Sequence, residues 1–409
     1  MRQSFIARNP SVLIFLAILA LFTVAVTVMS HAYGTGFIST SFVKTLGKTL
    51  CLCLIALAMD VVWGYTGILS LGHFAFFALG GYSIGMWLMY ARTELIVTES
   101  MANAAIPPTA QEVVDAIGTQ IFGVVGSSDF PPIWAFAHSF WLQAAMVIIA
   151  PGLLALIFGW LAFRSRVTGV YLSILTQAMT LALSLYLFQN ESGLRGNNGL
   201  SGLQNLPGVD AGQDLISIWF LWGSALALGL GYLLCAWVVS GKFGSVIRGI
   251  RDDEARVRFL GYSVEGYKLF VFTLTAIIAG IAGALYYPQA GIINPGELAP
   301  IASIYLAVWV AIGGRGRLYG AVIGAAVVSL VSTWFTGGQV PSLNLGFTTI
   351  DWVDWWQVIL GISFVLVTLF APKGIGGLFD LIGHRKAPDR HGSDYGPDKG
   401  SLQEEEGRG

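Results

Sequence analysis

The sequence predicts an all-α polytopic membrane protein with about ten transmembrane helices. Hydrophobic residues make up 55% of the 409 residues and charged residues only 11%, whereas about a quarter of the residues in a soluble domain are charged. Many apolar residues fall in runs of about 20, the length that crosses a bilayer as a helix. Glycine occurs 51 times, as expected for membrane helices whose backbones pack closely.

Ten apolar runs qualify as candidate spans. They cover residues 11–31, 43–63, 67–91, 141–163, 168–188, 217–239, 269–288, 299–313, 318–336 and 356–372. The first run follows Arg2 and Arg8 and could be the apolar part of a signal peptide, with Ser30-His31-Ala32 as the cleavage site. Its length favours a span, because the apolar region of a signal peptide is about 7–15 residues long.

The basic residues are unevenly distributed between the two sides that these spans define. With the amino terminus inside, the cytoplasmic segments carry 18 of the 22 Lys and Arg residues, in agreement with the positive-inside rule. Both termini are therefore predicted to be cytoplasmic. Residues 1–383 form the predicted transmembrane domain, and the polar tail 384–409 is predicted to be disordered.

The sequence leaves open two boundaries between predicted spans and a possible internal repeat. Residues 64–66 leave room only for a very tight turn, and 299–313 is short for a full crossing. Either could belong to a broken or re-entrant helix, which is tolerated only where protein or a water-filled cavity covers the backbone. After the first span, spans two to five and seven to ten start from opposite sides of the membrane, as in an inverted repeat.

The predicted outer loop, residues 92–140, is acidic and contains a short helix. Thr109 and Glu112 have the spacing of a capping box. One face of the helix that follows is apolar, with Val113, Val114, Ile117 and Ile121. The loop is interpreted either as a lid on the outer surface or as a docking surface for an extracytoplasmic partner.

Charge is densest in residues 240–268. Six basic and four acidic side chains lie between Lys242 and Lys268, and these residues predict two short helices. Asp252 or Asp253 can cap the second helix, on which Glu254 and Arg258 can pair at i, i+4. Such a helix–turn–helix would fit a groove on a soluble partner. The alternative is a solvated loop whose arginines only set the topology.

The sequence offers no constellation of residues for enzyme chemistry. Walker A and HExxH motifs and metal-ligand spacings do not occur, so the chain is predicted to be neither an enzyme nor a binder of a metal or cofactor. The net charge of −1 and the lack of a basic block give no indication of nucleic acid. Uphill transport would therefore need ions or a partner that hydrolyses nucleotide.

Seven stretches between residues 63 and 378 carry a family resemblance. WGYTGILSLGHF at 63–74, with the Gly80-Gly81-Tyr82 that follows, and IRDDEARVRFLGY at 250–262 resemble permeases of the branched-chain amino acid ABC importer family, LivM-type. Five further stretches look more specifically like the urea-type branch of that family. They are FRSRVTGVYLSILTQA at 163–178, GNNGLSGL at 196–203, ALYYPQAGIINPGE at 284–297, VAIGGRGRLYGAVIGA at 310–325 and LFAPKGIGGL at 369–378.

The resemblance implies a subunit of a bacterial inner-membrane importer that works by alternating access. The implied partners are a homologous second permease, two ATPase subunits that use ATP and Mg, and an extracytoplasmic substrate-binding protein. The charged segment becomes the region that docks on the ATPases, with Arg248, Arg251, Asp252, Asp253, Glu254, Arg258 and Gly261 as its coupling residues. An ATP-independent urea channel or ion-coupled carrier is the alternative of another class, and a channel has no use for that segment.

Polar residues within or beside the spans are the candidates for a substrate path, because burying them is costly. They are Asp60, His73, Gln177, Asn197 and Asn198. Urea offers one acceptor and four N–H donors, so Asp60 and Gln177 would suit urea or a similar small amide. The alternative cargo is a branched-chain or other amino acid. Asp60 and His73 could instead serve helix packing, and the two asparagines could form an outer turn.

Glycines near the predicted inner surface are candidates for helix packing or for hinges. They are Gly64, Gly67, Gly72, Gly313 and Gly314. Glycine allows helices to approach closely and permits turns that other residues resist. Packing is the simpler interpretation, and a hinge is the functional one.

Overall fold

The computed structural model describes residues 10–32, 38–102, 108–123, 130–167, 169–209, 213–337, 343–344, 349–350, 352–370 and 374–377. Its helices are α1 (Pro10–Ala32), α2 (Thr40–Asp60), α3 (His73–Met101), α4 (Ala110–Phe122), α5 (Phe140–Arg164), α6 (Val170–Phe188), α7 (Gln213–Ser240), α8 (Lys242–Asp252), α9 (Glu254–Phe259), α10 (Val264–Ala290), α11 (Pro300–Gly313), α12 (Leu318–Thr336) and α13 (Trp352–Phe370). Two-residue strands pair as β1 (Leu200–Ser201) with β2 (Ile292–Ile293) and β3 (Leu343–Asn344) with β4 (Thr349–Ile350). The predicted all-α polytopic fold is confirmed.

Each predicted span overlaps a helix. Among the described residues, eight helices are long and apolar enough to cross a membrane: α1, α2 with the turn that follows it, α3, α5, α6, α7, α10 and α12. The other two predicted spans match shorter apolar helices, Pro300–Gly313 and Trp355–Val367 within α13. The count of ten crossings, the cytoplasmic termini and the inverted repeat therefore stay predictions. The tail at 384–409 lies outside the described residues.

The boundary between α2 and α3 differs from the predicted one. α2 does not turn at 64–66 but continues as a π-helical turn, Val61–Tyr65. Gly67 then adopts a φ of +77°, which ends the helix because this region of backbone space favours glycine. The chain runs without regular structure until α3 begins at His73. The predicted start of the third span, in 67–91, is therefore too early.

A second irregular stretch separates α10 from α11. It contains β2 and a 3-10 turn, Pro295–Leu298, and β2 pairs with β1 so that Ile293 lies opposite Leu200. α11 has 14 residues, about 21 Å at 1.5 Å per residue, which is short of the ~30 Å hydrocarbon core. Both irregular stretches are covered by protein, since Ser70 in the first and Leu298 in the second are fully buried.

The backbones of α3 and α10 touch where they cross. A Cβ at Gly80 would overlap the carbonyl of Gly280, and a Cβ at Gly283 would overlap the carbonyl of Phe77. Gly280 also faces the backbone of α5. Small residues that permit so close an approach are typical of membrane helix pairs. This crossing forms the centre of the buried core.

The predicted short helix in the outer loop is present as α4. The Thr109 hydroxyl accepts a hydrogen bond from the Glu112 N–H, and the Glu112 carboxylate accepts one from the Thr109 N–H, so the predicted capping box is confirmed. Ile117 and Ile121 are buried in the main core, whereas Val114 is exposed. α4 thus packs as a lid does, and docking of an extracytoplasmic partner stays a prediction.

We expect Gly283→Ala to destabilise the protein, because the added Cβ would overlap backbone that moves only if α3 and α10 separate. Overpacking of a core typically costs about 1–3 kcal/mol. The measurement is thermal unfolding of the protein in detergent. Gly361→Ala in α13 is the matched control, because a Cβ there meets no atom within 4 Å and alanine is the better helix former. Equal melting temperatures for the two variants would contradict the close crossing of α3 and α10.

Candidate functional site

The charged segment 240–268 folds as the predicted helix–turn–helix, formed by α8 and α9. Asp253 is the N-cap of α9, and its carboxylate accepts a hydrogen bond from the Arg256 N–H at 3.1 Å. Asp252, the other predicted cap, is instead the last residue of α8 and pairs with Arg251 at 2.9 Å. A carboxylate at the amino-terminal end of α9 satisfies free N–H groups and complements the helix dipole.

Glu254 is the centre of an ion-pair network that joins α9 to α10. It pairs with Arg258 at 2.9 Å, which confirms the i, i+4 prediction, and with Lys268 at 2.5 Å. Arg258 also contacts Glu265 at 2.9 Å. The Lys268 side chain is only 8% exposed, so removing Glu254 would leave a nearly buried charge without compensation. Glu254 and Arg258 are therefore engaged within the chain.

Two more of the predicted coupling residues point towards the membrane helices. Arg248 donates to the carbonyl of Val239 in α7 at 3.1 Å. Arg251 donates to the carbonyl of Gly64, in the π-helical turn after α2, at 2.9 Å. The last carbonyls of a helix lack partners within the helix, so Arg251 satisfies one of them from outside. These two arginines fix α8 onto the spans.

The outward side of the segment is the α9 ridge, which we define as Arg256, Phe259, Leu260 and Tyr262. The Arg256 side chain is 80% exposed, Phe259 is 93% exposed and Leu260 is 71% exposed. Gly261, also exposed, turns the chain between α9 and α10 with a φ of +87°. The ridge thus presents large apolar side chains beside a cation.

An open cleft with a volume of about 600 Å³ lies beside the α9 ridge. It is lined by Arg166, Glu254, Ala255, Arg258 and Phe259. Arg166 follows α5, so the cleft joins the α9 ridge to the loop between α5 and α6. A soluble protein with a complementary groove could bind the projecting α9 ridge and the cleft beside it.

Asp60 is fully buried beneath the loop 314–317. Its Oδ1 accepts a hydrogen bond from the Gly316 N–H at 2.7 Å, and its Oδ2 has no partner among the described residues. In the same cluster, the Arg315 guanidinium lies 5.0 Å from the centre of the Trp63 ring. These contacts favour the alternative role predicted for Asp60, that of a partner for a neighbouring element, over contact with a solute.

His73 is fully buried as the first residue of α3. Its Nε2 lies 3.4 Å from the Thr275 hydroxyl of α10, while Nδ1 has no partner among the described residues. Phe76 and Phe272 meet the imidazole ring edge-on, at centroid distances of 5.9 and 6.3 Å. An imidazole enclosed in this way favours the packing role predicted as its alternative.

A stripe of buried hydroxyls, which none of the sequence predictions includes, runs along α6. We name it the α6 stripe: Ser173, Thr176, Thr180 and Ser184, all buried. Their spacing of three, four and four residues places them on one helical face, and that spacing could have revealed them. Gln177 is half-buried beside this face.

The α6 stripe forms hydrogen bonds with both irregular stretches, the one before α3 and the one before α11. The Ser173 hydroxyl donates to the carbonyl of Leu69 at 2.7 Å, and the Thr176 hydroxyl accepts from the Leu71 N–H at 3.0 Å. Ser184 donates to the carbonyl of Pro295, in the stretch before α11, at 3.2 Å. One helix therefore supplies polar partners to both interruptions of the spans.

Asn197 and Asn198 lie in an exposed 3-10 turn, Gly196–Asn198, as one of their two interpretations predicts. The turn follows Arg195, which is 7% exposed and has a φ of +62°. The Arg195 guanidinium donates to the carbonyl of Gly199 at 3.4 Å, and burial lowers the pKa of this side chain. The predicted contact of the two asparagines with a solute stays a prediction.

The five predicted glycines lie at turns or close contacts. A Cβ at Gly64 or Gly313 would overlap neighbouring backbone, and one at Gly72 would lie 3.2 Å from a carbonyl of α6. Gly67 and Gly314 have positive φ values of +77° and +113°. The packing interpretation accounts for all five positions, and their action as hinges stays a prediction.

The described part of the chain contains no group of three His, Cys, Asp or Glu side chains that could hold a metal ion. Cys51, Cys53 and Cys235 are buried and unbridged. The Cys51 sulphur lies 3.2 Å from the Ser224 hydroxyl. The cysteines therefore pack between helices.

Comparison with known families and proteins adds an independent result. The family described as "Branched-chain amino acid transport system / permease component" matches residues 41–368, from the first turn of α2 to the last turn of α13. No solved structure matches the chain.

Individual relatives are distant. The chain is 23% identical over 377 residues to the high-affinity branched-chain amino acid transport system permease protein LivM of Escherichia coli K12, covering 87% of this chain and 74% of that protein. It is 24% identical over 216 residues to the inner membrane ABC transporter permease protein YjfF of the same strain, covering 49% and 62%. The ribose import permease protein RbsC of Haemophilus influenzae is 25% identical over 173 residues, covering 37% and 49%. Because the family match extends over most of the sequence, the chain belongs to the branched-chain amino acid transport system permease family.

Proposed function

We propose that the chain forms half of the membrane path of an ABC importer in the inner membrane and works by alternating access. Its partners are a homologous second permease, two ATPase subunits that bind ATP and Mg, and an extracytoplasmic substrate-binding protein. Family membership supports the permease role, and the relative YjfF is described as an inner membrane ABC transporter permease. In this assembly the ATPases hydrolyse the nucleotide, and this chain carries no catalytic site.

The α9 ridge is the observation that carries the proposal. Phe259 is 93% exposed and Leu260 is 71% exposed, on a segment dense in charge. Apolar side chains exposed together and rimmed by polar residues mark a protein-binding surface. The four coupling residues Arg248, Arg251, Glu254 and Arg258 hold this surface in place from within, so a partner that grips the ridge pulls on the spans.

We expect Phe259→Ser to abolish assembly with the ATPase subunits, because a central aromatic anchor of an interface is typically worth at least about 2 kcal/mol. The measurement is co-purification of the ATPases with the permease after detergent extraction. Trp141→Ser is the matched control, because Trp141 is an equally prominent aromatic, 80% exposed, at the predicted outer end of α5. If Phe259→Ser retained the ATPases at the level of the control, the α9 ridge would not be the docking surface.

We infer that the cargo is urea or a similar small amide. Gln177, half-buried on α6, offers a neutral amide that both donates and accepts hydrogen bonds, which suits a solute that carries many N–H groups and no charge. Two of the stretches that resemble the urea-type branch, 163–178 and 284–297, include the first half of α6 and part of the irregular stretch that Ser184 holds. Branched-chain or other amino acids are the second candidate, favoured by the family's description and by the relative LivM.

A competition assay distinguishes the two cargoes. In cells that carry the whole importer, we expect excess unlabelled acetamide to reduce uptake of labelled urea and excess leucine to leave it unchanged. The reason is that neutral groups recognise an amide but leave the charges of an amino acid unpaired. The control is a strain without the permease, which fixes the background of passive entry. If the cells took up labelled leucine and urea did not compete with it, the cargo would be an amino acid and not urea.

A further inference from the structure

A compact cluster joins α8, the end of α2 and the loop between α11 and α12. We name it the Asp60 junction: Asp60, Gly64, Arg251, Arg315 and Gly316. Asp60 Oδ1 accepts from the Gly316 N–H at 2.7 Å, and Arg251 Nη1 donates to the Gly64 carbonyl at 2.9 Å. The partners are 256 and 187 residues apart in sequence, so these bonds fix the relative positions of distant elements.

The junction has no spare room. A Cβ at Gly64 would overlap Asp60 Oδ1 and lie 2.7 Å from the Gly316 Cα. Gly67 packs in turn on the Arg251 side chain, where a Cβ would lie 3.0 Å from the Arg251 Cγ. Because the atoms are in contact, a displacement of α8 at Arg251 must displace the turn after α2 as well.

The charges of the junction also depend on one another. The Arg315 guanidinium stacks on Trp63. Burial and then the nearby charge of Arg251 lower the pKa of Arg315, while Asp60 acts in the opposite direction. Asp60 and the two arginines thus lie close enough to influence one another electrostatically. The turn itself, Val61–Tyr65, is π-helical, a form that often occurs at functional sites.

We propose that the Asp60 junction is the positioning element that transmits displacement of α8 to α2 and to the loop 314–317. The inference rests on the proposed function, in which the α9 ridge engages the ATPases. α2 belongs to the first predicted group of four spans, and the loop 314–317 belongs to the second. A movement that enters at Arg251 therefore reaches both groups at once, which alternating access requires.

The test measures solute uptake and ATP hydrolysis in parallel on the complete complex reconstituted in liposomes. Arg251→Ala should lower uptake per ATP hydrolysed by roughly tenfold, an ordinary size for the coupling between two sites. Arg251 is partly exposed, so the variant should still fold and assemble, which co-purification of the ATPases checks. Lys242→Ala is the matched control, since it removes one positive charge from an exposed position on the same helix and should leave the ratio unchanged.

Variants of Asp60 give a second, independent test of the junction. Asp60→Asn keeps an oxygen that can accept from the Gly316 N–H and should retain more coupling than Asp60→Leu, which keeps none. The double variant Arg251→Ala/Asp60→Leu should take up no less solute per ATP hydrolysed than the poorer single variant, because the effects of two substitutions in one junction are not additive. A purely structural role would instead lower assembly and leave the ratio intact.

The outcomes separate the two proposals. If the wild-type complex shows no ATP-dependent uptake, the proposed function itself fails. If the wild-type complex is coupled and Arg251→Ala has the same uptake per ATP as Lys242→Ala, the junction does not transmit the movement and only this inference is overturned. Additive losses in the double variant would likewise contradict a shared junction.

Discussion

Backbone polar groups that are buried away from water must find hydrogen-bond partners within the protein, and this constraint decides how the helices of this chain are arranged. Two stretches of this chain leave helical structure between spans, one before α3 and one before α11. The hydroxyls of α6 meet this constraint for both, through Ser173 and Thr176 on the first stretch and Ser184 on the second. Since one helix holds both interruptions, their positions are set together, and a shift of α6 would be felt at each.

The need of buried groups for partners also explains how the side chains of the charged segment are arranged. Its side chains fall into an inward set that is engaged with the spans or with α10 and an outward set, the α9 ridge, that is exposed. Lys268 shows why the inward set is needed, because a nearly buried ammonium must be compensated, and Glu254 does so at 2.5 Å. Because the inward set fixes α8 and α9 to the spans and to α10, the exposed Phe259 and Leu260 lie on a fixed surface. A partner bound to that surface can therefore displace the spans.

Local features of this fold could be predicted from the sequence, and distant contacts could not. The apolar runs, the Thr109 capping box and the Glu254–Arg258 pair depend on residues a few positions apart, so helical periodicity is enough to find them. The bond from Asp60 to Gly316 spans 256 residues, and no local pattern indicates it. The sequence therefore leaves Asp60 open between contact with a solute and packing against a neighbouring element. The α6 stripe is intermediate, because its spacing was visible in the sequence but its partners were not.

We propose that this chain moves solute only when partner ATPases hydrolyse ATP. The most direct measurement is uptake of labelled urea into liposomes that contain the complete complex and the binding protein, with ATP or with a nucleotide that cannot be hydrolysed supplied on the ATPase side. We expect urea to accumulate above the external concentration with ATP and not to accumulate with the other nucleotide. Equal uptake with both nucleotides, levelling off at the external concentration, would contradict it and identify the chain as a passive channel.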